Sequence, residues 1–182
     1  MTEKPLPHLP RILALAAKPL PLTPLTVMLT LLTRQLMQRH PGLQRRLGDH
    51  AQRRFLLDLT DMPFLLVLEP GGARPRVTAH SRRRLPRHDV RITGLTAAFL
   101  GMVHGSLDGD ALFFSRDLVV EGDTGAAVAL RNAIDDAELD LSAELAIIAK
   151  PLAPLLAHLL PATERITGLA LHRMDRPEGA AL

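Results

Sequence analysis

Residues 89–123 read DVRITGLTAAFLGMVHGSLDGDALFFSRDLVVEGD, and the order of patterns in this stretch decides the fold. Val90 and Ile92 alternate with Arg91, which predicts a strand over Asp89–Thr93. Ala98, Phe99, Met102 and Val103 then recur at helical spacing, predicting a helix over Leu95–His104. Asp108-Gly109-Asp110 reads as a turn. A second strand is expected over Leu112–Glu121, with Leu112, Phe114, Leu118 and Val120 on one side and Arg116 interrupting them. Gly122 ends that strand, and Asp123 or Thr124 can cap a helix over Gly125–Asp136.

Working outward toward the N-terminus, three more strands are expected. Arg54–Leu59 and Phe64–Glu69 flank the turn-like Thr60-Asp61-Met62-Pro63, and Pro70-Gly71-Gly72 leads into Arg74–His80. Before them, Leu25, Met28, Leu29, Leu32, Leu36 and Met37 predict a helix over Thr26–His40, with Pro24 in front of it and Pro41-Gly42 behind. A second helix, Gly42–Gln52, places Leu43 and Leu47 on one face. Residues 1–24 hold six of the fifteen prolines with apolar residues between them, and read as an extended apolar arm. Toward the C-terminus, Ser142 can cap a leucine-rich helix that Pro151, Pro154 and Pro161 kink or split. A short helix and a polar tail fill 161–182. The organisation expected is thus an arm (1–24), one domain (25–160) and a tail (161–182), with five short strands and several helices in an α/β (α+β) arrangement.

Composition narrows the function. Of 182 residues, 47% are hydrophobic, and 37 Leu and 23 Ala against 8 Val and 6 Ile favour helices with a small sheet. The absence of Cys excludes disulfides, thiol catalysis and clusters held by this chain's own thiolates. No Trp or Tyr and only five Phe make a base-stacking surface improbable, so no nucleic-acid partner is expected. The longest uncharged runs, Pro19–Thr33 and Ile92–Leu107, fall short of the roughly 20 apolar residues that a membrane span needs. A secretory signal also fits poorly, because Lys18 and a proline-dense segment follow the short apolar stretch Ile12–Ala17. A cytoplasmic protein, peripheral on the inner membrane, is expected.

Charge is distributed unevenly. Seven Arg lie between Arg74 and Arg91 with only Asp89 as an acid, whereas Ile92–Ala149 holds ten acids against Arg116 and Arg131. Arg74, Arg76, Arg82, Arg83, Arg84 and Arg87 are therefore candidates for docking on an anionic membrane or an acidic partner. A solvated Arg-rich loop is the plainer alternative.

Chemistry is sparse. None of the four serines lies in G-x-S-x-G, and there is no H-E-x-x-H, phosphate-binding loop or G-x-G-x-x-G. The eight His are scattered, and Asp108 and Asp110 lack the further ligands of a calcium loop, so no metal site is expected. What stands out is the excess of apolar side chains, which either fill a dry core or line a cavity for a long apolar ligand.

The ordered set Asp89-Val-Arg-Ile-Thr-Gly94, a helix around Phe99, and Phe113-Phe-Ser-Arg-Asp-Leu-Val-Val-Glu-Gly-Asp123 resembles the sterol carrier protein type 2 domain. With the Lys18–Pro24 segment and the leucine-rich tail, the chain resembles the UbiT family of accessory factors for anaerobic ubiquinone biosynthesis. The resemblance implies a five-stranded, mostly antiparallel curved sheet covered by helices, with a hydrophobic tunnel between them. It implies a non-catalytic protein with no cofactor, which binds prenylated ubiquinone intermediates and presents them to UbiU- and UbiV-like hydroxylation proteins. On that basis Phe99, Val103, Phe114, Leu118, Val120, Ile134, Leu152, Leu155 and Leu159 are the candidate lining residues. A scaffold with a dry core and a generic phospholipid or fatty-acyl carrier are the alternatives.

Overall fold

The computed structural model describes residues 22–72, 74–107, 109–137, 139–140 and 143–144. The expected arm and tail, and Leu152, Leu155 and Leu159, lie outside them. The elements run α1 (Leu22–Arg39), α2 (Gly42–Leu47), a 3₁₀ turn (Gly48–Gln52), β1 (Phe55–Leu59), β2 (Phe64–Glu69), β3 (Arg76–Ser81) and β4 (Val90–Gly94). They continue with α3 (Thr96–Val103), α4 (Gly109–Phe114), β5 (Leu118–Gly122) and α5 (Thr124–Ala137).

The strands form one open sheet in the order β3-β2-β1-β4-β5. Only β1 and β4 are parallel; the other three pairings are antiparallel. Alternation along each strand sorts the side chains onto two faces. Phe55, Leu59, Phe64, Val90, Ile92 and Leu118 point into the main apolar core, which the helices cover. The opposite face carries a smaller buried cluster of Leu56, Leu65 and Val67, beside Asp58 and Arg91.

Two glycines in the quoted stretch sit where a side chain has no room. In the β4–β5 ladder, Gly94 pairs with Leu118 and Gly122 pairs with Val90. A Cβ on Gly94 would sit 2.5 Å from the Asp117 carbonyl oxygen. Gly122 has φ +90° and lies against the Asp89 carbonyl, so a side chain there meets both strain and overlap. These two residues fix both ends of the ladder.

Helix α1 begins four residues earlier than the pattern of apolar residues suggests. Pro24 falls inside its first turn, where a missing N–H has no intrahelical partner to lose. The helix runs along the outer edge of β3. Ala79 N–H donates to Thr26 Oγ1 (2.9 Å), Thr30 Oγ1 donates to the Val77 carbonyl (2.8 Å), and Arg34 Nε donates to the Pro75 carbonyl (3.3 Å). Four helical residues rise about 6 Å and two strand residues advance about 6.6 Å, so the two repeats stay in step. The helix thereby satisfies edge groups that would otherwise invite another strand.

The expected strand over Leu112–Glu121 forms only from Leu118 onward. Residues 109–114 are helical, and β5 starts at Leu118. Its partner β4 ends at Gly94 opposite Leu118, so residues upstream have no ladder to join. They satisfy their backbone locally instead. Ser115 N–H donates to the Ala111 carbonyl, and the chain reverses through Arg116 at φ 66°. Gly109 and Asp110, expected in a turn, belong to this helix. The second predicted helix is likewise divided at Gly48, φ 50°, into α2 and the 3₁₀ turn.

Helix α5 closes the core. Asp123 Oδ1 accepts from Ala126 N–H (3.0 Å), as an N-terminal cap should. Ala126, Ala127, Leu130 and Ala133 are buried.

Candidate functional site

The apolar layer lies between the helices and one sheet face. Helix α3 is its most apolar element, with Ala97, Ala98, Phe99 and Met102 all buried. Its first turn is held by Asp61 of the β1–β2 turn, whose Oδ1 accepts from both Thr96 N–H (3.0 Å) and Thr96 Oγ1–H (2.7 Å).

Five of the candidate lining residues meet in this layer. Phe99 and Leu118 are buried in it, and Val103, Val120 and Ile134 pack half-buried around it. Phe114 does not join them. It is 88% exposed, because the α4 turn replaces the strand alternation that would have aimed it inward. Met102, Leu112 and Leu130 are buried in the same layer although they were not singled out. Helical spacing within α3 and α5 is the signal for Met102 and Leu130. The layer offers apolar surface to a ligand. Among the described residues no three His, Asp or Glu side chains are grouped as a metal site requires.

The six candidate docking arginines do not form one patch. Eight residues, 82–89, connect the end of β3 to the start of β4. The two strands run in the same direction with β2 and β1 between them. The connection must therefore cross three strand spacings and one strand length, a diagonal of about 22 Å. Nine peptide steps reach about 30 Å at most, so the segment spans the gap as a strap with little slack, turning at residues 82–83. It lies on the face away from the helices, where Arg82 meets Asp58 and where Pro86 and Arg87 line a groove with Val67.

Arg82 fastens one end of the strap. It pairs with the buried Asp58 (Nη1–Oδ1 2.7 Å) and donates to the Leu59 and Met62 carbonyls (2.5 and 2.8 Å). Arg91 of β4 holds the other Asp58 oxygen at 2.6 Å and reaches Glu121 at 3.0 Å. Burial pushes the Asp58 carboxyl up, but the hydrogen bonds and charges of Arg91 and Arg82 outweigh it and hold it below the usual carboxylate range. Arg76 is also committed, bridging to Glu69 at 2.5 Å beside Arg54. The hydrogen bond from Arg76 lowers the Glu69 carboxyl against a smaller push from burial. Arg74 lies elsewhere, in a groove of about 390 Å³ with Arg34 and Met37.

Arg83, Arg84 and Arg87 remain exposed and make no ion pair with the described residues. With His80, Ser81 and Leu85 they line a groove of about 500 Å³. Leu85 is 52% exposed between them. No helix among the described residues is long and apolar enough to cross a membrane.

A model of the SCP-2 sterol transfer family matches residues 33–135, a stretch that begins inside α1, contains all five strands and ends inside α5. Among solved structures, a UbiJ-SCP2 ubiquinone synthesis protein superposes with a TM-score of 0.52 at 18% identity. That match covers 65% of this chain and 96% of the other. Sterol carrier protein 2 from Yarrowia lipolytica, in its apo form, gives a TM-score of 0.44 at 16% identity over 59% and 87% of the two chains. No curated protein matches the sequence.

Proposed function

Because the chain belongs to the SCP-2 sterol transfer family, we propose that it is a non-catalytic lipid carrier whose cargo is a prenylated intermediate of ubiquinone synthesis. The observation that carries this reading is the family match across the whole sheet, one face of which lies under an apolar layer covered by helices. The fold shared with a protein described as a ubiquinone synthesis protein supports the choice of pathway. The sequence resemblance to UbiT-like factors supports the finer role, presentation of the prenylated ring to UbiU- and UbiV-like hydroxylation proteins without oxygen.

Each buried CH₂ of a prenyl tail is worth about 0.8 kcal/mol out of water, so such intermediates stay in a bilayer unless an apolar sleeve receives them. Phe99, Val103, Leu118, Val120 and Ile134 are proposed to contribute to that sleeve, together with Leu152, Leu155 and Leu159.

The test is organic extraction of the protein, purified without detergent, followed by mass spectrometry. A stoichiometric prenylphenol or quinone is the expected result. A phospholipid in its place favours the generic carrier. An empty extract, from protein that takes up no added lipid, overturns the carrier reading in favour of a scaffold with a dry core.

A further inference from the structure

The strap over the second sheet face presents a basic tip with an apolar centre. Its ends are fixed, at Arg82 by Asp58 and two carbonyls, and at Asp89, whose N–H donates to the Arg54 carbonyl (2.9 Å) and whose Oδ2 accepts from Arg54 N–H (2.8 Å). Between them, residues 83–87 read Arg-Arg-Leu-Pro-Arg, and all but Pro86 are exposed. Glu69 lines the adjoining groove of about 300 Å³ beside Arg87, yet its carboxylate is already shared by Arg54 and Arg76. The tip's positive charge is therefore not cancelled from within.

We propose that this tip docks the protein on an anionic lipid bilayer, with Arg83, Arg84 and Arg87 on lipid phosphates and Leu85 entering the acyl boundary. The sign and density of charge suit an anionic headgroup layer, and an exposed leucine ringed by arginines suits a surface that is charged outside and apolar beneath. An acidic protein would complement the arginines but leave Leu85 in water unless it supplied a matching pocket. The site narrows the six candidate arginines to three and adds a residue that charge alone does not select. Arg76 and Arg82 are excluded because their guanidinium groups are committed to Glu69 and Asp58. The proposal deepens the carrier reading by naming the surface from which cargo is taken, and its charge argument does not require the cargo.

The full chain is sedimented with vesicles of phosphatidylcholine alone or mixed with phosphatidylglycerol. Binding is expected to need the anionic lipid and to weaken as salt rises from about 0.05 M to about 0.5 M. Replacing Arg83, Arg84 and Arg87 together by Ala is expected to weaken it by at least about tenfold. Leu85→Ser should remove the binding that survives high salt. The control Arg45→Ala with Arg116→Ala removes exposed arginines elsewhere and should bind nearly as the parent does. All variants should melt at the parent temperature, since none of these side chains makes an ion pair with the described residues.

Equal binding to neutral vesicles, an unchanged triple variant, or an equal loss in the control overturns the proposal. Tighter binding to polyglutamate than to vesicles at the same charge concentration also overturns it and assigns an acidic protein. Organic extraction of the same variants separates the two readings. A triple variant that keeps its lipid but loses vesicle binding confirms docking as a separate device. Charge-dependent vesicle binding by a protein with no extractable lipid upholds docking while the carrier reading fails.

Discussion

Asp58 is 3% exposed on the sheet face away from the helices, and two guanidinium groups share its oxygens. Its carboxyl titrates below the unfolded value near 3.9, so the unfolded state binds the proton first as pH falls. The stability contributed by the group is complete above that unfolded value and is lost as pH drops through the lower, folded one. Asp58→Asn should therefore cost roughly 3 kcal/mol near neutrality, because Arg82 and Arg91 lose the charge that offsets their partial burial. It should also flatten the acid limb of the stability profile. Urea denaturation of parent and variant between about pH 3 and pH 7 reads both effects. An unchanged acid limb would show that other carboxylates govern it.

At the scale of elements, the edge of β3 is closed by a helix rather than by another strand. The closure depends on Thr26, Thr30 and Arg34 standing one turn apart while their backbone partners stand two residues apart on β3. Thr26→Val keeps the shape of the side chain but leaves Ala79 N–H without its acceptor. The expected loss is about 1 kcal/mol, with faster hydrogen exchange at the Ala79 amide than at amides inside the β1–β2 pair. Exchange followed residue by residue checks this. An Ala79 amide as protected as before would mean that the helix covers the edge by packing alone.

At the scale of the molecule, two phenylalanines fifteen positions apart have opposite fates. Phe99 is 8% exposed at the centre of the apolar layer, and Phe114 is 88% exposed at the end of α4. Phe99→Ala should destabilise by about 3–5 kcal/mol through the cavity it leaves. Phe114→Ser should stay within about 0.5 kcal/mol. Chemical denaturation separates the two, and lipid retention by Phe114→Ser then reports whether this side chain has any part in carriage.

Much of this architecture was legible in the sequence because it rests on near neighbours. Alternation at Val90 and Ile92, and within Phe64–Glu69, marks strands wherever they sit. Pro41-Gly42 marks the end of α1, and Asp123 caps α5 through a contact three residues away. The order of strands and helices in residues 89–123 was enough to suggest the fold that the family match then supported. Three features depended on partners distant in the chain. Residues 112–114 alternate like a strand, yet β4 ends at Gly94 and offers them no ladder. The arginine-rich segment looked like one charged patch. It is a strap on the second sheet face, because β2 and β1 lie between β3 and β4, and Arg82 is spent on an aspartate twenty-four residues earlier. Local sequence sets what each segment can become, through side-chain period and backbone freedom. Pairing across the sheet decided which charges remained free and which apolar groups faced water, because that depends on what stands opposite.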